Sequence, residues 1–292
     1  LQWRGVTLRN RIGVSPMCQG TSEGGYANDW HLVHLGALAL GGAALVMFEA
    51  TAVEPHARIT NRDTGLWCDE QIDSYARVCR FIHEAGAVAG IQLGHAGRKS
   101  SYRSWWGPQG MQGLRALASE EGGWSVLGPS AQAFDDRSLT PREMSQSDIA
   151  SVPRSFAAAA KRADAAGFDW IEVHAAHGYL LHSFCSPISN RRNDRYGGSF
   201  ENRVRLTRET ARALRAVWPE RKVLAVRISH TDWIDGGWST SDSVALASLL
   251  KQDGVDLIDV SSGGTSPTTT ALARHVSAEG LTAHAAQKHG QI

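Results

Sequence analysis

The stretch KRADAAGFDWIEVHAAHGYL, residues 161–180, decides the fold. An alanine-rich helical pattern runs into Gly167, where a left-handed residue just past a helix end belongs. Phe168-Asp169 turns the chain, and Trp170–Ala175 then reads as a short buried strand. At its far end stand His174, His177 and Tyr179. One helix, one tight turn and one strand tipped with polar groups make a single unit of a parallel α/β protein.

The unit recurs in both directions. Strand patterns lie at residues 11–17, 44–53, 88–95, 223–229 and 257–262, with helical patterns at 31–40, 70–85, 147–166, 201–217 and 241–252. Ser147-Asp148 marks the start of one helix, and Gly86 and Gly254 repeat the position of Gly167. No G-x-G-x-x-G follows the first strand, which argues against a dinucleotide-binding sheet and for a TIM (β/α)8-type barrel. Residues 98–141, rich in Gly, Ser and Trp, interrupt the rhythm after the third strand, where barrels build lids. Only about thirty residues follow Ser262, so the barrel is expected to lack its last two βα units. The division expected is a barrel over 1–264 and an atypical tail over 265–292.

Composition bounds the function. The 292 residues are 42% hydrophobic and 20% charged, enough for one large core. A net charge of +1, from 30 basic and 29 acidic side chains, gives no basic excess for a nucleic-acid partner. No apolar run reaches the ~18 residues of a membrane span. The four cysteines (Cys18, Cys68, Cys79, Cys185) are scattered, as free thiols in a reducing compartment would be, and a cytoplasmic location is expected. Ten tryptophans are many for this length; Trp105-Trp106 and Trp233/Trp238 fall in loop patterns, and some of them are expected to line a pocket rather than a core.

In a βα barrel the chemistry sits at the C-terminal ends of the strands. Those ends carry Ser15-Pro16-Met17-Cys18, Glu49-Ala50-Thr51, Gln92-Leu93-Gly94-His95, then His174 to Tyr179, with Arg227 inside the fifth strand. His174 and His177 can converge on one carbonyl oxygen, and Tyr179 can supply a proton. Two other readings of the pair stay open: hydrogen-bonded structural histidines, or two ligands of a metal that lacks an obvious third. Cys18 reads as a buried small side chain or a cofactor-facing thiol. Gln92 offers the donor and acceptor that a pyrimidine edge requires. Arg227 in an apolar strand needs an anionic or electron-rich partner. His31 and His34 lie on a helical pattern and read as surface or packing residues.

Taken together these motifs resemble the old yellow enzymes of the bacterial, thermophilic-like class. The resemblance rests on Arg9 to Ile12, Ser15 to Cys18, Glu49 to Val53, Gly65-Leu66-Trp67, Gln92 to Lys99, His174 to Leu181, Ser186 to Asn190, and Tyr196 to Arg203. It runs from residue 5 to about 264. It implies non-covalent FMN, reduced by NADPH or NADH, that reduces activated C=C bonds of α,β-unsaturated carbonyls and nitroalkenes. By the same resemblance Ser15, Pro16, Met17, Cys18, Ala50, Gln92 and Arg227 contact the flavin. His174 and His177 bind the enone carbonyl, Tyr179 donates the proton, no metal takes part, and a homodimer or homotetramer forms. Two departures stand out. Gly20 replaces an aromatic phenol two positions after the cysteine, so either a wider pocket or closure by Trp105 or Trp106 is expected. The family's FMN phosphate site lies near strands seven and eight, so the alternative expectation is a truncated barrel with weak or no flavin binding and no catalysis. A dienoyl-thioester reductase fits less well, for want of clustered cysteines and a further domain.

Overall fold

The computed structural model describes residues 1–105 and 115–269. A two-stranded antiparallel ribbon, β1 (Gln2–Trp3) and β2 (Val6–Thr7), opens the chain. β3 (Gly13–Val14) leads to α1 (Asp29–Leu40), and β4 (Leu45–Ala52) leads to α2 (Ile72–Glu84). β5 (Val88–Gly94) leads to a long segment bearing the short pair β6 (Leu127–Gly128) and β7 (Arg142–Glu143). The helix α3 (Gln146–Ala166) then feeds β8 (Trp170–Ala175), followed by α4 (Leu180–Cys185), α5 (Phe200–Arg203) and α6 (Arg205–Arg215). The described chain closes with β9 (Val223–Ser229), α7 (Thr240–Gln252) and β10 (Leu257–Ser261).

Six strands form one parallel sheet in the order β10-β9-β8-β5-β4-β3, so sequence neighbours are spatial neighbours throughout. That order, with helices packed on the outside, is a barrel wall rather than a doubly wound sheet, whose strand order reverses. Residues 270–292 of the expected tail lie outside the described residues.

Strand side chains alternate faces, and the alternation separates two kinds of environment. Ile171, Val173, Leu224, Val226, Ile91 and Leu93 belong to the large apolar core shared with the helices. The opposite face lines the barrel interior. At its base Trp170, Val223, Ala225, Ala44 and Met47 form a second apolar cluster with Val6 and Leu8 of the opening ribbon, against which Trp3 and Leu257 pack. Two or four residues further along the same faces stand Gln92, Glu172, His174, Arg227, Ser229, Asp259 and Ser261. The base is a plug, and the top is a polar mouth.

Local signals set the ends of elements. Gly86, Gly167 and Gly254 adopt φ of +74°, +96° and +90°, the left-handed region that favours glycine. Helix α3 is capped by Ser145, whose side chain accepts from the Asp148 amide, two residues before the start expected at Ser147. The pattern expected as one helix over 201–217 is split at Val204 into α5 and α6. The strand expected over 11–17 shrinks to Gly13–Val14, since Pro16 has no amide to donate to a ladder. Of the loop tryptophans, Trp238 is one that belongs to the core: it is buried, stacked on Phe200 at 6.0 Å, with its indole donating to Ser243. Trp233 is exposed, at φ +59°.

Candidate active site at the barrel mouth

Strand β4 positions two functions with one irregularity. Its pairing with β5 shifts between Phe48 and Ala50, so Ala50 lies opposite Gln92 while Glu49 is left over. A bulge of this kind re-aims a side chain. The Glu49 carboxylate points instead to His31 Nε2 at 2.9 Å and accepts from the Gln19 amide at 2.5 Å. It thereby ties the segment after Cys18 to α1, and both members of the pair are buried. The Ala50 amide bonds to the Cys18 sulfur. Burial, reinforced by Asp63 and Glu49, pushes the Cys18 thiol well above its usual range and keeps it protonated. Cys18 and Ala50 therefore meet, while Ser15 and Met17 are exposed and Pro16 is half-buried beside them. All four cysteines are free.

Over Gly20 the space is already filled. A Cβ there would lie 3.0 Å from Ser104 Oγ and 3.1 Å from the Trp105 ring, and φ is +64°. Trp105 thus covers the position from which the expected phenol is missing; Trp106 lies outside the described residues.

Gln92, His174 and Arg227 come from neighbouring strands. Arg227 pairs in register with His174 on one side and Asp259 on the other, and Gln92 pairs with Glu172. The Gln92 amide nitrogen donates to Glu172 at 2.7 Å. Arg227 Nε sits 3.2 Å from Asp259, yet the angle is poor enough that this buried nitrogen has no hydrogen-bond partner. An orphaned buried cation donor is costly unless a ligand completes it.

Beyond β8, His174, His177 and Tyr179 converge. Ring centroids lie 5.1 Å apart for His174–His177, 4.8 Å for His174–Tyr179 and 6.5 Å for His177–Tyr179, all edge to face. The Ala176 amide donates to His174 Nδ1 at 3.3 Å, which leaves the proton of the neutral ring on Nε2. His177 Nε2 lies 2.5 Å from Ser261 Oγ, and its amide donates to Ser229 Oγ at 2.9 Å. Burial, together with Arg227 and Lys99, lowers His177 to about 3; burial and His177 hold His174 well below its usual value. Both rings are neutral at pH 7 and serve as neutral hydrogen-bonding groups. Burial also keeps Tyr179 a phenol by raising it well above its usual value.

Two devices hold that turn. Gly178 lies so close to the segment after β10 that a Cβ would meet Gly264 O at 2.3 Å, and φ at Gly178 is +74°. Lys99 Nζ donates to His177 O at 2.8 Å and to Gly264 O at 3.0 Å, which fixes His177 at φ +60°. Lys99, lowered to about 7 by burial and by Arg98, is 5.1 Å from the Tyr179 ring centre. Asp232 completes the support: it accepts from Ser186 at 2.6 Å, the Trp238 amide at 2.8 Å and Thr265 at 2.7 Å, and faces His182 at 3.2 Å. Neither Glu172, Asp259, Lys99 nor Asp232 stands out in the sequence on its own. Counting by twos along β8 and β10 from His174 and Ser261 would have placed the first two in the mouth.

Among the described residues one other group has the residue types of a metal site: Glu54, His56 and His95, with ligand atoms within 4.8 Å of one another. Its members already hydrogen-bond to one another and to the chain around them. Glu54 bonds His56 at 2.7 Å and also Ser155, while His95 Nδ1 accepts from the Gly97 amide at 3.0 Å, which puts the ring proton on Nε2.

A parallel β/α barrel wall with its polar groups gathered at the C-terminal strand ends defines a barrel enzyme, here one whose mouth carries an arginine, an amide and a thiol. Residues 1–286 match the family described as NADH:flavin oxidoreductase / NADH oxidase, and the chain belongs to that family, an oxidoreductase family that binds FMN. It is 46% identical over 278 residues to an NADH:flavin oxidoreductase of Gibberella zeae, covering 90% of this chain and 66% of that protein. It is 44% identical over 266 residues to an NADPH dehydrogenase of Geobacillus sp., covering 90% and 72%. Among solved structures it is similar to morphinone reductase, with a TM-score of 0.76 at 26% identity over 89% of this chain and 70% of that one. Among the described residues no helix is long and apolar enough to cross a membrane.

Proposed function

We propose that the protein is an NAD(P)H-dependent ene-reductase acting on α,β-unsaturated carbonyls and nitroalkenes. The observation that carries this reading is the convergence of His174, His177 and Tyr179 beside Arg227. FMN, when bound, supplies the hydride for the β-carbon of the substrate. The residues that would hold it are Ser15, Pro16, Met17, Cys18 and Ala50, with Gln92 offering the donor and acceptor a pyrimidine ring would take and Arg227 the positive charge a reduced flavin would need. Arg227 Nε, which pairs with Asp259 but makes no hydrogen bond, is a donor that such a ligand would complete.

The chain's own residues then divide the work. His174 and His177 bind the substrate's carbonyl or nitro oxygen and stabilise the negative charge that develops there during reduction. As neutral rings they donate without presenting a cation to the cofactor. Tyr179, kept protonated by burial, gives its phenolic proton to the α-carbon. Lys99 holds the turn that carries them. Trp105, over Gly20, narrows the pocket on that side. The test is steady-state NADPH oxidation by the purified chain: it should require both added FMN and an enone such as cyclohexenone. Oxidation that proceeds equally without the enone would leave a plain NADPH oxidase instead.

A further inference from the structure

The mouth contains a buried carboxyl for which the reaction above has no use. Glu172 is 4% exposed in the middle of β8, between Gln92 on β5 and the Arg227–Asp259 pair on β9 and β10. It accepts from Gln92 Nε2 at 2.7 Å, and the Asp259 carboxyl on β10 opposes its ionisation. Two carboxyl groups that face each other are best accommodated when one holds a proton, because two facing carboxylates repel. Arg227, 3.2 Å from Asp259, balances the one negative charge that remains.

From this geometry we infer that Glu172 is a positioning residue: it shares one proton with Asp259 and, by accepting from Gln92, sets the direction of the Gln92 amide. An amide can be turned either way at little cost, and its two ends are opposite in hydrogen-bonding character. With its nitrogen committed to Glu172, Gln92 presents its oxygen to the mouth as an acceptor for an N–H of the ligand's pyrimidine edge. The arrangement rests on the flavin reading of the mouth for its purpose, but not for its existence. The groups facing Glu172 are Gln92 on β5, Arg227 on β9, Asp259 on β10 and His174 on its own strand. Of these Asp259 is the one that opposes ionisation. Burial, then Asp259, raises Glu172 to about 8 against the pull of Arg227 and the Gln92 amide.

A raised carboxyl favours the folded state when protonated and loses that advantage as pH climbs from the unfolded value toward the folded one. Glu172→Gln mimics the protonated acid: its oxygen can accept from Gln92 and its NH2 can donate to Asp259. In the FMN-free protein, thermal unfolding of Glu172→Gln should match the native chain at pH 5 and exceed it at pH 9. A variant that is equal to or less stable than native at pH 9 overturns the shared proton. For the orienting role, FMN titration followed by quenching of flavin fluorescence is the readout. Glu172→Leu should weaken FMN binding at least tenfold and Glu172→Gln less than threefold. Adding Gln92→Leu to Glu172→Leu should cost little more, because the amide is already unaligned. Independent, multiplying losses, or failure of the glutamine variant to rescue, would overturn that role. A native chain that binds no FMN would sink the functional reading, while the pH comparison would still decide the carboxyl pair.

Discussion

The base and the mouth of the barrel interior are built by the same strands, a few residues apart, and they differ in almost every physical respect. On β8 the inward residues are Trp170, then Glu172 and His174; on β9 Val223 and Ala225, then Arg227 and Ser229; on β10 Leu257, then Asp259 and Ser261. At the base the inward side chains are apolar and closed off by the ribbon through Val6 and Leu8. At the mouth they are polar and buried or half-buried, and one atom, Arg227 Nε, lies 3.2 Å from Asp259 without a hydrogen bond. Burial at the base is a source of stability. Burial at the mouth costs stability and yields groups with altered protonation, neutral His174 and His177 among them. One strand therefore carries scaffold and chemistry in sequence, and substitutions at the two ends should fail in different ways.

The largest effect is expected at the base. Trp170→Ala should lower stability by ~3–5 kcal/mol, read by urea unfolding, as truncation of a buried aromatic does. A loss under 1 kcal/mol would mean that the plug is not part of the cooperative core. At the mouth Tyr179→Phe should leave folding and flavin reduction by NADPH intact while slowing enone reduction by ~10²-fold, measured separately for each half-reaction. Equal slowing of both would give Tyr179 a structural role instead.

Asp232 joins the two regimes, since it braces the mouth without facing it. Burial opposes its ionisation but is outweighed by His182, Ser186 and the Trp238 amide, which bring it down to about 2. A depressed carboxyl contributes stability above its unfolded value, near 4, that disappears as pH falls through the folded value. The native protein should lose roughly 2 kcal/mol between pH 4 and pH 2 from this group, and Asp232→Asn should lack that component in acid titrations of stability. An unchanged acid limb in the variant would assign the loss elsewhere. The smallest effect is expected for His177→Ala, which removes one donor to the substrate oxygen. Phenol binding, followed by perturbation of the flavin spectrum, should weaken by ~10-fold, about the worth of one hydrogen bond, with unfolding barely altered. Unchanged phenol binding would place His177 outside the site.

Much of the fold was legible because parallel βα units repeat their punctuation. The strands at Trp170–Ala175 and Val223–Ser229 match their expected bounds, and three glycines mark helix ends as read. Where the reading slipped, tertiary context decided. Trp238 lies in a loop, as read, yet Phe200 and Ser243 draw its side chain into the core. His31 was legible as a packing residue but not as the partner of Glu49, because that pairing depends on a bulge no local pattern announces. The polar pairs Gln92–Glu172 and Asp259–Arg227 span four strands, and their register is set only when the sheet forms. Histidines and a tyrosine at a strand end announce themselves; the acids that hold their neighbours do not.

The most direct test of the account is an anaerobic visible spectrum of the purified chain taken with FMN, then NADPH, then cyclohexenone. The account predicts a protein-bound flavin band that NADPH bleaches and the enone restores. A chain that leaves added FMN free in solution, or a bleached band that the enone does not restore, would contradict it.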